Sequence, residues 1–116
     1  MARILIHSAT GPENATRAAL ALLIARTAAE EGHEVQVFLA GDGVHLADGE
    51  SAAATNGLGT GAAAAHLAAL KDAGLTIYLS GMSSKARGIE GGEGFELAPP
   101  QKLVELATWA ETTLTY

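Results

Sequence analysis

The order of elements in the first forty or so residues constrains the fold more than any other feature of this sequence. Arg3–His7 is a short β-rich run, and the turn cluster Ser-Ala-Thr-Gly-Pro follows it. A helical pattern then begins near Pro12 or Asn14, ends at Gly32, and leads into a second strand at Val35–Ala40. A strand, a helix and a strand so close together predict a right-handed crossover and a parallel strand pair.

The same alternation continues along the chain. We predict further strands and helices, in chain order, at Ala62–Ala73 (helix), Leu75–Ser80 (strand), Gly81–Arg87 (short helix), Phe95–Ala98 (strand), Pro99–Glu111 (helix) and Thr112–Tyr116 (strand). The small-residue stretch Gly49–Gly61 is expected to be a loop with one helical turn at most, mobile unless another part of the molecule covers it. These elements indicate one α/β domain over residues 1–116, with an open, mostly parallel, doubly wound, flavodoxin-like sheet of four or five strands flanked by helices.

Composition excludes several classes of function. The chain has no cysteine, so disulfides, thiolate metal sites, cysteine nucleophiles and persulfide carriers are all excluded. A net charge of −6, with only seven Lys and Arg and no cluster among them, argues against nucleic acid as a partner. The longest apolar run, Ala18–Ala25, is far shorter than the roughly 20 residues of a membrane span, and no signal-peptide core is visible. We therefore expect a cytoplasmic protein without a membrane contact.

The first helix is apolar on every side. One stripe consists of Ala18, Leu22, Ala25 and Ala29, and a second consists of Leu20, Leu23 and Ile24. A helix of this kind is buried all round, and in a small domain the sheet can cover only one stripe. A neighbouring subunit is the simplest cover for the other stripe, so the pattern predicts a homo-oligomer.

Three loops meet at the carboxyl edge of the predicted sheet, where ligands bind in folds of this class. They are His7–Asn14, Gly41–His45 and Ser80–Arg87. We therefore take the candidate ligand-binding residues from these loops: His7, Asn14, Asp42, His45, Ser80, Gly81, Ser83 and Arg87.

The segment Ser80–Gly88 carries the clearest chemical signal. A strand leads into small residues, and a short helix with Lys85 and Arg87 follows. Backbone N–H groups and a guanidinium in this arrangement could together hold a small anion. The alternative interpretation is a serine-capped helix with solvated basic side chains.

A hydrolase would use the same edge differently. Ser80 or Ser83 would be the nucleophile, His7 or His45 the base, and Asp42 the group that orients the base. The sequence Gly-Met-Ser-Ser after the strand is not the Gly-x-Ser-x-Gly turn that exposes a strained nucleophilic serine. The simpler interpretation is that Ser83 or Ser84 caps a helix.

We predict neither a metal nor a cofactor. Among the four histidines, His33 and His66 are expected at the surface, and His7 and His45 are expected to be hydrogen-bonded side chains at the edge rather than ligands of a shared metal. Gly57–Ala62 fits a loose dinucleotide fingerprint. No strand precedes it, and a serine stands where an acidic ribose ligand is needed, so it is taken as a connection.

Five features together carry a resemblance to a known family: Arg3–Ser8, Glu31–Val35 with the strand after it, Gly43-Val44, Ser80–Ile89, and the closing helix and strand. Over nearly its whole length the chain resembles the DsrE/DsrF-like proteins, small α/β subunits related to sulfur-relay components. Members often carry Cys-Gly-x-Cys-x-x-Ala-Arg-Gly in the segment that corresponds to Ser80–Ile89. This sequence aligns with that motif at Ser80, Gly81, Ser83, Ala86, Arg87 and Gly88, with serine at both cysteine positions.

The resemblance implies subunits that assemble into trimers or hexamers and pass sulfur on as a cysteine persulfide. A hydroxyl forms no persulfide, so this chain alone cannot carry sulfur. We therefore expect a non-catalytic homo-oligomer that binds a small anionic ligand or serves as a scaffold for a sulfur-handling or redox partner. The alternative is the hydrolase-type enzyme with Ser80, His7 and Asp42.

Overall fold

The computed structural model describes residues 1–116, and strands alternate with helices along the chain as predicted. The elements are β1 (Arg3–Ser8), a 3-10 turn (Pro12–Asn14), α1 (Ala15–Glu30), β2 (Glu34–Leu39), a 3-10 segment (Gly41–Ala47), α2 (Gly49–Ala54), β3 (Asn56–Gly57), β4 (Gly61–Ala62), α3 (Ala63–Asp72), β5 (Ile77–Ser80), α4 (Gly81–Arg87), β6 (Phe95–Ala98), α5 (Pro100–Trp109) and β7 (Thr112–Thr115).

The main sheet has five strands in the order β6-β5-β2-β1-β7, and every neighbouring pair is parallel. The chain moves outward from β1 to the edge strand β6. It then crosses back through α5 and places β7 on the other side of β1. The predicted open, parallel, doubly wound α/β fold is confirmed.

Alternate side chains of the strands point to opposite faces, and each face has its own core. The larger core joins Ile6, Val37 and Leu79 of the sheet to Leu22 of α1 and Leu67 of α3. The smaller core lies on the opposite face, where α5 packs over the sheet; its buried members are Leu5, Phe38, Ala98 and Leu106. Helices α1, α2 and α3 therefore contribute to the core on one face, whereas α5 is the helix of the core on the other.

Helix α1 begins and ends where its sequence predicts. The Asn14 side chain caps it by accepting a hydrogen bond from the Arg17 backbone N–H at 3.1 Å. Its first apolar stripe is buried, with Ala29 at the margin, whereas Leu20, Leu23 and Ile24 of the second stripe are only half-buried. The second stripe is thus partly open on this chain.

The stretch from Gly49 to Gly61 is not the loop that its composition predicts. It forms α2 and a two-stranded hairpin, β3–β4, that is tied to α1. The Leu58 backbone N–H donates to Thr16 Oγ1 at 3.1 Å, and Thr60 Oγ1 donates to the Thr16 carbonyl at 2.9 Å. These bonds reach across 42 and 44 residues, so local composition carries no sign of them.

Helix α5 is shorter than the predicted Pro99–Glu111, and its apolar spacing predicts an inner face of four residues, Leu103, Leu106, Ala107 and Ala110, of which one is exposed. It ends at Trp109, and Leu106 is buried with Leu103 and Ala110 half-buried, but Ala107 is exposed. The ten-residue helix touches the sheet along a narrow strip, which leaves Ala107 outside. None of the helices has the length and apolar character needed to cross a membrane.

Candidate functional site

The predicted edge loops do meet, and a backbone-to-side-chain hydrogen bond joins two of them. Helix α4 packs against the 3-10 segment that follows β2. The Gly41 backbone N–H donates to Ser83 Oγ at 2.9 Å. This bond connects positions 42 residues apart and fixes α4 to the loop beside it.

Both serines at the cysteine positions of the motif use their hydroxyls as acceptors. Ser80 is the N-cap of α4, and its Oγ accepts from the Ser83 backbone N–H at 3.2 Å. Ser83 in turn accepts from Gly41. The prediction that Ser83 or Ser84 caps this helix is therefore wrong, because the capping residue precedes the helix and Ser80 occupies that place. Sulfur is a weak acceptor, so these are bonds that a thiol would make poorly.

Arg87 forms an ion pair with Asp42 across the same edge. Its Nε and Nη2 both donate to Asp42 Oδ1 at 3.2 Å, and its Nη1 donates to the Ser83 carbonyl at 3.1 Å. The two side chains are 29% and 50% exposed, so the pair contributes no more than about 1 kcal/mol to stability. Three of the five guanidinium N–H donors are used, and the remaining two are free.

His7 lies on β1, on the sheet face that α5 covers. It is half-buried, and its ring stands edge-on to Phe38 with the ring centroids 6.2 Å apart. Burial lowers the pKa of His7 below its ordinary value of 6.5. No hydrogen bond joins it to Ser80 or Asp42, whose polar atoms bond to Ser83 and Arg87 instead.

His45 lies in a shallow polar cleft of about 350 Å³. The other lining residues are Pro12, Glu13, Asp42 and Ser51, so two carboxylates face this space. Glu13 also accepts a hydrogen bond from the Gly11 backbone N–H at 2.8 Å. The cleft is therefore acidic. No group of three or more His, Asp or Glu side chains is arranged to hold a metal ion.

Asn14 and Gly81 take part in local structure. The Asn14 side chain caps α1, and it makes no hydrogen bond with the serines of α4. Gly81 is the first residue of α4, and a Cβ there would make an ordinary contact with the Ala98 carbonyl oxygen at 3.4 Å. Asn14 Oδ1 is thus used in the cap and Gly81 has no side chain, so local structure accounts for both residues.

Gly11 and Gly43 were predicted only as turn residues, but both are needed for the close backbone contact at this edge. A Cβ on Gly11 would lie 2.0 Å from the Asp42 carbonyl oxygen, and one on Gly43 would lie 2.8 Å from the Ser8 carbonyl oxygen. No side chain fits at such distances, so the loops after β1 and β2 touch backbone to backbone. The run Gly-Asp-Gly after β2 is the signal that could have predicted this contact.

His33 and His66 were predicted at the surface, but His33 is half-buried and His66 is buried. His66 is only 6% exposed, and its Nε2 lies 2.8 Å from the Thr60 carbonyl oxygen, while its Nδ1 has no partner. His33 is half-buried, and its Nδ1 accepts from the Ala2 backbone N–H at 2.9 Å. The hairpin folds back over α3 and covers His66, which the pattern of α3 alone could not predict.

The sequence model of the DsrE/DsrF-like family matches residues 2–116. No curated protein matches the sequence. Among solved structures, the crystal structure of the ychN protein from E. coli is similar, with a TM-score of 0.83, 21% sequence identity and coverage of 100% of both chains. At that identity the likeness to the ychN protein is one of fold.

Proposed function

Because the chain belongs to the DsrE/DsrF-like family, we propose that it is a non-catalytic, homo-oligomeric scaffold protein of cytoplasmic sulfur or redox metabolism. The observation that carries this proposal is the use of both motif hydroxyls as structural acceptors. Ser80 caps α4, and Ser83 binds the Gly41 backbone N–H. The position where a sulfur carrier needs a free thiolate is occupied here by hydrogen bonds that hold the edge together.

The chemistry of the side chains supports the non-catalytic assignment. Persulfide transfer requires a thiolate, and the chain has no cysteine. A hydrolase would need Ser80, His7 and Asp42 to act together. Asp42 instead pairs with Arg87, and no hydrogen bond connects the three groups. The hydrolase alternative therefore has no structural observation in its favour.

The surface of α1 supports the oligomeric part of the proposal. Leu20 and Leu23 remain half-exposed after the sheet, α3 and the hairpin have packed against this helix. Covering them with a second copy would remove apolar area from water, which stabilises an assembly by about 25 cal/mol for each Å² buried.

Binding of a small anion is a second candidate function, and the two free N–H groups of Arg87 favour it. The guanidinium is partly exposed, and an oxyanion could accept from it in two places. Asp42 would compete directly, and Glu13 adds a second negative charge nearby. We therefore place scaffolding ahead of anion binding.

Native mass spectrometry with a thiosulfate titration tests both candidates. A scaffold gives whole-number multiples of 11.7 kDa and takes up no thiosulfate at millimolar concentrations. Oligomers that bind thiosulfate, and lose it in the Arg87→Ala variant, would favour anion binding instead. A monomer would contradict the oligomeric proposal. Hydrolysis of an activated ester that is abolished by Ser80→Ala would contradict the non-catalytic one.

A further inference from the structure

The largest pocket of the chain lies between the 3-10 segment after β2, α2, α3 and β6. Its volume is about 430 Å³, which is in the lower part of the range of small-molecule sites. Three of its lining residues, Leu46, Ala52 and Leu67, are buried and form an apolar floor. Ala68 and Phe95 extend this apolar surface towards the mouth. The pocket can therefore take up a small hydrocarbon group.

Three charged side chains stand at the mouth of the pocket. Lys71, Asp72 and Glu93 line it and are exposed to solvent. None of the three forms an ion pair, because the ion pairs of the chain involve other residues. One positive and two negative charges are thus available to groups of opposite sign on a ligand.

The residues around Lys71 position its side chain. Its ammonium nitrogen lies 4.4 Å from the ring centroid of Phe95. Its aliphatic stem lies against Gly94, where an added Cβ would come within 3.0 Å of Lys71 Cγ and Cε. The Gly94 carbonyl accepts from the Ile77 backbone N–H at 2.8 Å, so the backbone under the stem is fixed to β5. A charge that is already in place needs less ordering when a ligand binds.

We propose that this pocket binds a free apolar amino acid such as leucine. The apolar side chain of the ligand lies on the floor of the pocket, its carboxylate pairs with Lys71, and its ammonium group is attracted by Asp72 and Glu93. Burial of the hydrocarbon group supplies affinity, and the opposite charges at the mouth orient the ligand.

The mixed charge at the mouth distinguishes an amino acid from simpler ligands. An apolar carboxylate would be attracted by Lys71 and repelled by the two carboxylates beside it. An apolar amine would be attracted by those carboxylates and repelled by Lys71. A residue inside a peptide chain carries neither charge on its backbone. A free amino acid carries both charges next to its apolar side chain, so it matches the whole mouth.

Ligand-observed saturation-transfer NMR on the purified wild-type protein tests the chemistry of the ligand. Three probes share the same branched hydrocarbon group: leucine, isocaproate, which lacks the ammonium group, and isoamylamine, which lacks the carboxylate. Leucine should bind saturably with a dissociation constant of about 1 mM or lower, and each analogue should bind at least about 10-fold more weakly. Equal binding of the three probes, or no saturable leucine signal up to about 10 mM, would overturn the proposal.

The variant Lys71→Gln tests the partner of the carboxylate. It should weaken leucine binding about 10-fold or more, while isoamylamine, which has no carboxylate, should bind at least as well as it does to the wild type. Lys102→Gln is the matched control, because Lys102 also lies over an aromatic ring, 4.8 Å from the centroid of Tyr78, but belongs to α5 on the other face of the sheet. The control should bind leucine like the wild type, and equal losses in the two variants would contradict the role of Lys71.

A second pair of variants tests the location. Ala65 and Ala68 are both exposed on α3, but only Ala68 lines the pocket. Ala68→Trp fills the pocket with an indole and should abolish leucine binding, whereas Ala65→Trp should leave it unchanged. Circular dichroism checks that both variants fold, and Lys71→Gln decides the question by itself if the indole disrupts α3. Leucine binding that survives Ala68→Trp would overturn this site. The scaffold proposal rests on the serines of α4, so it stands or falls separately.

Discussion

At the scale of single residues, the two serines at the start of α4 show what oxygen in place of sulfur changes at the carboxyl edge of the sheet. Oxygen accepts the backbone N–H groups of Ser83 and Gly41, and the two bonds fasten α4 to its neighbours. Sulfur in the same positions would be a better nucleophile and a weaker acceptor. The residues that exclude sulfur transfer are thus also the ones that hold this edge together.

Replacing Ser80 tests its capping role. Ser80→Ala should lower the free energy of unfolding by about 1 kcal/mol, because the Ser83 N–H loses its acceptor. Ser80→Asp keeps an acceptor oxygen at the N-cap and should stay within a few tenths of a kcal/mol of the wild type. Urea denaturation measures both. Equal losses in the two variants would show that the hydroxyl does not act as a cap.

His7 predicts a specific dependence of stability on pH. Burial disfavours the charged imidazolium, so the pKa of His7 in the folded chain lies below 6.5, near which the unfolded chain titrates. The unfolded chain therefore binds the proton more readily. The stability contributed by neutral His7 is present above pH 6.5 and is lost as the pH falls through 6.5 towards the folded-state pKa.

The variant His7→Gln should remove this part of the pH dependence. We expect its free energy of unfolding to fall less than that of the wild type between about pH 7.5 and about pH 5, as measured by urea denaturation. The other three histidines are present in both proteins, so the difference between the two profiles isolates His7. Parallel pH profiles for the two proteins would contradict the prediction.

At the scale of elements, the β3–β4 hairpin is the clearest case of tertiary contacts deciding local structure. Its residues are small and flexible, and two strands of two residues each have little stability of their own. The hairpin exists because Thr16 of α1 and His66 of α3 bind its backbone and its threonine. It should therefore be sensitive to changes at its contact with α3.

Two glycines of the hairpin make a matched pair for this test. Both have positive φ, +84° at Gly61 and +77° at Gly59, so alanine at either position costs about 1–2 kcal/mol in backbone strain. A Cβ on Gly61 would also lie 2.8 Å from His66 Nε2, whereas one on Gly59 meets open space. Gly61→Ala should therefore destabilise the protein by about 1–3 kcal/mol more than Gly59→Ala does.

Thermal and urea denaturation of the two variants measure that difference. Their backbone costs cancel in the comparison, so what remains is the contact with His66. Equal destabilisation would mean that His66 moves aside without loss, and that its bond to the Thr60 carbonyl does not hold the hairpin.

At the scale of the whole molecule, the two faces of the sheet are covered unequally. Helices α1 and α3 pack on one face, and the ten-residue α5 alone covers the other. The buried anchor of α5 is Leu106, which meets the smaller core of Leu5, Phe38 and Ala98. Loss of this one side chain should weaken the attachment of a whole layer.

Leu106→Ala should lower the free energy of unfolding by about 2–5 kcal/mol, because it removes buried apolar contacts and leaves a cavity. Val104→Ala, on the same helix at 64% exposure, should change it by no more than about 0.5 kcal/mol. Urea denaturation of both variants checks the prediction. A similar effect at the two positions would show that α5 contributes little to the fold of the isolated chain.

The alternation of elements was predictable because it depends on local patterns. Each of these features depends on residues that are close together in the sequence: the strand and helix periods, the Asn14 cap and the glycine that follows α1. The residues of the site could be placed at one edge because parallel strands end there. What each side chain does at that edge was not predictable, and Ser80 and Ser83 are the examples.

The sequence by itself determined two things about this protein: a parallel α/β sheet, and the exclusion of persulfide chemistry, which depends only on the absence of cysteine. The tertiary structure decided that Ser83 binds Gly41 and that Arg87 pairs with Asp42, across 42 and 45 residues. The reason is physical. Periodicity and capping act within a few residues, whereas the partner of a polar side chain at a loop depends on how distant loops dock against each other.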